Sequence, residues 1–292
     1  MTTVIATPVT TVWTSPDAPR DIDAAIVAST PDPVAWNTAL LDAPPSALHG
    51  RTETQAVLGE PVRIVSERDG WLEVVLPWQP SSKDPDGYPG WVPAAHVAEL
   101  DPTDAPLAVV TTLVAETSNG AISYGTVLPE LERTPDVVRL AAPGGPIELA
   151  ASSTDRVPQP ADVRDVTSLL ASAGQFVGMR YLWGGTSGWG VDCSGFVHLT
   201  HRRFGVTVPR DAHDQYDASA QLNPRSAVAG DLYFFGRTSR GITHVGFATG
   251  EAGETAQMLH APDGDRQQHV EHAPMAKERA DNLAGAGSFL HR

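Results

Sequence analysis

Short runs of β-branched and aromatic residues, cut by Gly, Pro, Asp and Ser, fill the first half of the chain and predict a succession of short strands. Val4 to Trp13 reads as the first strand. Residues 31–41 open on Pro31-Asp32-Pro33, a helix-start signal, and predict a short helix. Glu60–Ser66 and Gly70–Pro77 follow as strands around the turn Arg68-Asp69-Gly70. A polar loop, Gln79–Gly87, then leads into Gly90-Trp91-Val92-Pro93. Leu107–Val114, Gly125–Leu128, Val137–Ala142 and Ile147–Ala151 repeat the pattern, and Ala151–Pro160, rich in Ser, Pro and charge, reads as a linker.

From residue 162 onward the period changes. Val166, Leu169, Leu170, Ala173, Phe176 and Val177 recur at helical spacing and predict an amphipathic helix ending near Gly178. A glycine- and aromatic-rich loop runs from Tyr181 to Asp192, and a second helix-compatible segment starts at Cys193. Gly230–Gly236, Thr243–Thr249, Ala256–Ala261 and Ser288–His291 then read as strands. A helix carrying a cysteine, followed by an antiparallel sheet, predicts an α+β, papain-like domain. The domains expected are 1–102, a β-rich unit with a helical insertion; 103–158, a second small barrel; and 159–292, the α+β unit.

Cys193 is the only cysteine of 292 residues, so no internal disulfide framework exists. A lone cysteine is usually a small buried hydrophobe. Here it follows a flexible glycine loop set with Tyr181, Trp183 and Trp189, a composition that suits a groove wall. Asp192 or Ser194 can cap the helix that begins there. The thiol would then sit at the positive end of a helix, which lowers its pKa, and the segment reads as a device for making a thiolate. A cysteine nucleophile needs a base and the base an orienting partner. His244, on the strand Thr243–Thr249, is the expected base, and His260, on the next strand, the orienting group, since facing residues of adjacent antiparallel strands lie about 5 Å apart. His198 and His201 read as structural, and His269, His272 and His291 sit in polar context.

Charge narrows the partners. A net charge of −15 disfavours nucleic acid and anionic surfaces. No run of about 18 apolar residues could span a bilayer. The first 30 residues hold Asp17, Arg20, Asp21 and Asp23 without an apolar core, so no secretory signal is read and a cytoplasmic protein is expected. With neither Cys-x-x-Cys nor His-Glu-x-x-His, no metal or other cofactor is expected. A monomer is expected.

Tyr181-x-Trp-Gly-Gly, Asp192-Cys193-Ser194-Gly195-Phe196, Pro209-Arg210-Asp211, Gly230-Asp231-Leu232-x-Phe-Phe and His244-Val245-Gly246 together resemble the NlpC-type family of cell-wall cysteine peptidases. Gly-Glu-x-Val, Asp-Gly-Trp-Leu-x-Val and Gly-Trp-Val-Pro upstream resemble bacterial SH3-like (SH3b) modules. The combination is similar to the subgroup of γ-D-glutamyl-L-diamino acid endopeptidases with N-terminal SH3b domains. The resemblance implies a catalytic set of Cys193, His244 and His260. It implies hydrolysis of the bond between γ-D-glutamate and the diamino acid (meso-diaminopimelate or L-Lys) of peptidoglycan stem peptides with a free N-terminal L-Ala, in murein recycling. It implies an ammonium pocket of Asp211, Glu53 and Tyr88, and substrate contacts from Tyr181, Asp192, Ser194, Arg210 and Trp183. Ala212 stands where the pattern leads one to expect a serine. A secreted hydrolase of intact murein, a non-catalytic wall-binding protein and an acyltransferase on the same core remain alternatives.

Overall fold

The computed structural model describes residues 1–158, 165–237, 241–250, 256–263 and 269–290. Its first unit is built on a five-stranded sheet in the spatial order Thr52–Val57, Val9–Trp13, Tyr88–Pro93, Trp71–Leu76 and Arg63–Arg68. The single strand expected over Val4–Trp13 is two. Thr2–Ile5 pairs with Val97–Leu100, and Val9–Trp13 joins the main sheet. Pro8 lies between them and has no N–H to continue a ladder. Between Val9–Trp13 and Thr52–Val57 lies the helical insertion, with Pro33–Ala39 as its longest helix. Asp32 caps this helix by accepting from the Val34 and Ala35 amides at 3.1 and 2.9 Å, and Pro33 takes the first turn. Its Trp36 packs edge-on to Trp13 and donates to the buried Asp23 carboxylate.

The second unit is a seven-stranded antiparallel sheet in the order Gly120–Ser123, Val114–Thr117, Ile147–Ala150, Val137–Leu140, Val127–Arg133, Leu107–Val110 and Thr154–Arg156. Its apolar residues form a core of their own, including Val110, Leu128, Val138 and Leu149. The expected linker is shorter than its composition implied. Thr154–Arg156 pairs with Leu107–Val110 and closes the sheet, and Thr154 is buried. Of that stretch, residues 159–160 lie outside the described residues, as do the expected domain start at 159 and His291.

The third unit packs helices against a six-stranded antiparallel sheet ordered Ala220–Leu222, Leu283–Ser288, Leu232–Arg237, Gly241–Ala248, Gln257–His260 and Glu271–Pro274. The two outermost strands are too polar to read from sequence. Helix Val166–Gly174 stops short of Gly178 because its last turns tighten: the Phe176 and Val177 amides donate to Ala173 and Gly174, three residues back. The helix Cys193–Arg202 is central and buried along its whole length. Phe176, Phe196 and Phe247 stack edge-to-face across this core.

The second sheet backs this core. Tyr124 packs on Phe176, and its hydroxyl meets Ser172 Oγ at 2.6 Å. At Gly188 a Cβ would stand 1.7 Å from the Leu113 carbonyl oxygen, so only glycine lets the loop before Cys193 seat on that unit.

Candidate active site

Cys193 begins the central helix, and Asp192 is the N-cap, accepting from the Gly195 amide at 2.7 Å. The Asp192 carboxylate also takes the Gly184 amide at 3.0 Å, which fixes the glycine loop over the nucleophile. Arg210 holds it from behind through two nitrogens, at 3.0 and 2.7 Å, and reaches Ser194 Oγ at 3.0 Å and Thr54 Oγ1 at 2.7 Å. Burial opposes the Arg210 charge, but the Asp192 carboxylate outweighs it and keeps Arg210 firmly protonated. Arg210 was expected to touch substrate. Instead it is fully buried, does not line the cavity and organises the groups that do.

This network crosses into the first unit. Thr54 Oγ1 donates to Gln79, Gln79 to Glu60, and Glu60 pairs with Arg202 of the cysteine helix at 2.7 and 3.0 Å. Gln55 accepts from the Thr186 amide and the Ser187 hydroxyl of the glycine loop. The strand Thr52–Val57 is thus one wall of the catalytic unit rather than part of a detached module.

Burial disfavours the charged form of each reactive group. Burial pushes the Cys193 thiol up to about 12, with the Asp192 and Asp263 carboxylates adding to the rise and the Val245 amide opposing it. This rise opposes the lowering expected from the helix start. Burial likewise holds His244 well below its usual range, and His260 at about 3.

His244 lies on the strand packed against the cysteine helix and is buried. Its Nε2 meets His260 Nδ1 at 3.0 Å, and its buried Nδ1 has no hydrogen-bond partner among the described residues. A continuous tautomer assignment follows. His244 Nε2–H donates to His260 Nδ1, and His260 Nε2–H faces Glu271 Oε1 at 3.3 Å, on the directly paired residue of the next strand. That leaves the His244 Nδ1 lone pair free to accept a proton. Glu271 was not identified from sequence, because its polar strand gave no signal. Asp263, also missed, stands 3.6 Å from His244 Nδ1 and is paired with Arg279.

A cavity of about 350 Å³ opens over Cys193. Tyr181, Trp183, Asp192, Ser194, Asp211, Glu53 and Tyr88 all line it, together with Lys83, Ala212 and His213. Burial, then the neighbouring Cys193 and Asp192, raises the Tyr181 phenol well above its usual value, so it stays a donor. Trp183 lies against the His49 ring, centroids 3.9 Å apart. One end of the cavity is lined by the first unit. Where the first unit contributes to the wall, Tyr88 Oη donates to Asp211 at 2.9 Å and lies 3.5 Å from Glu53. Burial raises the Asp211 carboxyl, while Arg210, Lys83 and the Tyr88 hydrogen bond lower it. Ala212 puts a methyl group, not a hydroxyl, into this wall. Asp211, His213 and Asp214 bring three potential ligand atoms within 4.8 Å of one another, but Asp211 is engaged by Tyr88 and Asp214 by the Ser82 amide.

Comparison with known proteins places relatives beside this chain. Residues 178–283 match the NlpC/P60 family, and residues 45–97 match the bacterial dipeptidyl-peptidase Sh3 domain. The chain is similar to a gamma-D-glutamyl-L-lysine dipeptidyl-peptidase of Bacillus subtilis (strain 168), 33% identical with 90% of each chain covered. It is similar to one of Bacillus cereus (strain ATCC 10987 / NRS 248), 30% identical over 96% of this chain and 88% of that one. The crystal structure of an NlpC/P60 family protein from Bacillus cereus ATCC 10987 superposes over all of both chains with a TM-score of 0.91 at 29% identity.

Proposed function

Because the chain belongs to the NlpC/P60 family of cysteine peptidases, acting on peptidoglycan-derived peptides, we propose that it cleaves the γ-D-glutamyl–L-diamino acid bond of stem peptides whose N-terminal L-Ala is free. The single observation that supports this most is the acidic end of the cavity. The Asp211 and Glu53 carboxylates and the Tyr88 hydroxyl converge there, with Thr52 and Glu53 of strand Thr52–Val57 in the wall. Such an end suits a primary ammonium and disfavours a neutral, glycan-linked lactyl amide, which offers the carboxylates no charge. The substrates would then be fragments already freed from glycan, as arise in murein recycling.

In the mechanism, the peptide ammonium anchors at Asp211, Glu53 and Tyr88, and the γ-carbonyl of D-glutamate lies over Cys193. His244 Nδ1 takes the thiol proton as sulfur attacks the carbonyl carbon. Proton transfer to His244 accompanies attack. The oxyanion is held by the backbone N–H groups at the helix start and by the Tyr181 phenol. The imidazolium, stabilised through His260 and Glu271, returns its proton to the departing amine as the C–N bond breaks. Water, deprotonated by His244, then cleaves the thioester and restores the thiol.

Asp211→Asn tests the anchor. It should lower kcat/KM for the free peptide at least about 30-fold, the lower end for losing one partner of a buried charge pair. Its rate on the N-acetylated peptide should stay at the parent's. An equal loss on both substrates would contradict the anchor.

A further inference from the structure

The ammonium end of the cavity already holds an ammonium. Lys83 Nζ donates to Tyr88 Oη at 2.8 Å, pairs with Glu53 Oε2, and lies 4.5 Å from the Tyr88 ring centroid. It also lowers the Asp211 carboxyl through space. These are the groups assigned above to the substrate's α-amine, so the two cations compete for one set of acceptors.

The backbone of Lys83 is not free to move away. The Arg210 amide donates to the Pro80 carbonyl at 3.0 Å, the Ser82 amide to Asp214 at 3.0 Å, and the Lys83 amide to Ser81 Oγ at 3.1 Å. The side chain can leave its partners: it is 39% exposed and has a four-carbon stem that can swing to solvent.

We propose that Lys83 is a specificity-determining residue that acts as an internal competitor for the ammonium subsite. A free α-amine displaces it by replacing one cation with another. A neutral, blocked end must displace it and leave Glu53 unpaired, so Lys83 sharpens rejection of acylated peptides while weakening affinity for the correct ones. The inference rests on the proposed recognition of a free amine.

The test is calorimetric binding of the dipeptide L-Ala-γ-D-Glu and its N-acetyl form to the full chain carrying Cys193→Ala, with and without Lys83→Met or Lys83→Arg. Lys83→Met should tighten the free dipeptide about twofold to fivefold, the yield of removing a partly exposed ion pair that binding must otherwise break. Its affinity should also become more salt-dependent, because binding no longer exchanges one cation for another. Lys83→Arg, which keeps a cation on the loop, should show no gain. Unchanged or weaker binding in Lys83→Met would overturn the proposal and make Lys83 an organiser of Glu53 and Tyr88. If the parent binds both dipeptides equally, the ammonium subsite itself falls, and with it the competition.

Discussion

Arg210→Met is the substitution that strains the account of the site hardest. The parent guanidinium makes four hydrogen bonds of 3.0 Å or less, to Asp192, Ser194 and Thr54. Only 1% of its side chain and 11% of that of Asp192 are exposed. Methionine keeps the apolar volume but leaves the Asp192 carboxylate without its counter-ion and Thr54 without a donor. Removing one partner of such a buried pair costs about 3–5 kcal/mol. For a chain of this size that corresponds to a fall in Tm of roughly 10 °C. Activity should fall with it, because Asp192 positions both the Gly184 amide and the start of the cysteine helix. Adding Asp192→Asn removes the stranded charge and keeps the cap acceptor, so the double variant should regain about half of the lost stability. Chemical denaturation of the parent and the three variants measures the cycle. A cost below about 1 kcal/mol for Arg210→Met, or no recovery in the double variant, would refute the reasoning.

The remaining predictions address the base, the loop seat and acid. Glu271→Gln should lower kcat about threefold to tenfold and move the acid limb of the rate profile, because the His260 orientation and the imidazolium both lose a carboxylate; a pH–rate series checks this, and an unchanged limb counts against the tautomer assignment. Gly188→Ala should destabilise the chain by about 2 kcal/mol or more through the clash with Leu113, read by thermal melting; a neutral effect would mean that the second unit does not seat the loop. Acid should weaken the fold through its buried neutral histidines. His201 is held at about 4 and His260 at about 3 by burial, whereas the unfolded chain protonates near 6.5. Their stability is therefore present above about pH 6.5 and is lost as pH falls below it, by about 2 kcal/mol each at pH 5. Urea unfolding at pH 7 and pH 5 should show it, and equal midpoints would contradict it.

The legible parts of the site were those whose composition is out of place in an ordinary core. A cysteine behind a run of glycines and aromatics, and a histidine inside an apolar strand, point to chemistry on their own. The wall of the site was not legible for the opposite reason. Thr52, Thr54 and Gln55 show no apolar pattern in the sequence, yet they form a buried strand because their partners, Gln79, Arg210, Thr186 and Ser187, come from distant segments. Glu271 and Lys83 are unremarkable surface letters until the sheet register and the Gln79–Gly87 loop set them against His260 and Glu53. Arg210 stood out as a motif residue, but its role depended on which way the guanidinium faces. For Cys193 the sequence showed the helix start but not the burial that opposes its effect. Strand breaks followed local chemistry only in part: Pro8 accounts for the first, whereas the strand Thr154–Arg156 is held by pairing with Leu107–Val110 and not by its own propensity.

The central claim is that the cavity reads a free N-terminal amine beside a γ-D-glutamyl carbonyl. Its most direct test is a digest followed by mass spectrometry of L-Ala-γ-D-Glu-diaminopimelate, its L-Lys counterpart, the N-acetylated peptide and intact murein, each with the parent and with Cys193→Ala. The account predicts release of L-Ala-γ-D-Glu from the free peptides alone, abolished by Cys193→Ala. Cleavage of the acetylated peptide or of intact murein at a comparable rate would contradict it and point to an open groove acting on the wall.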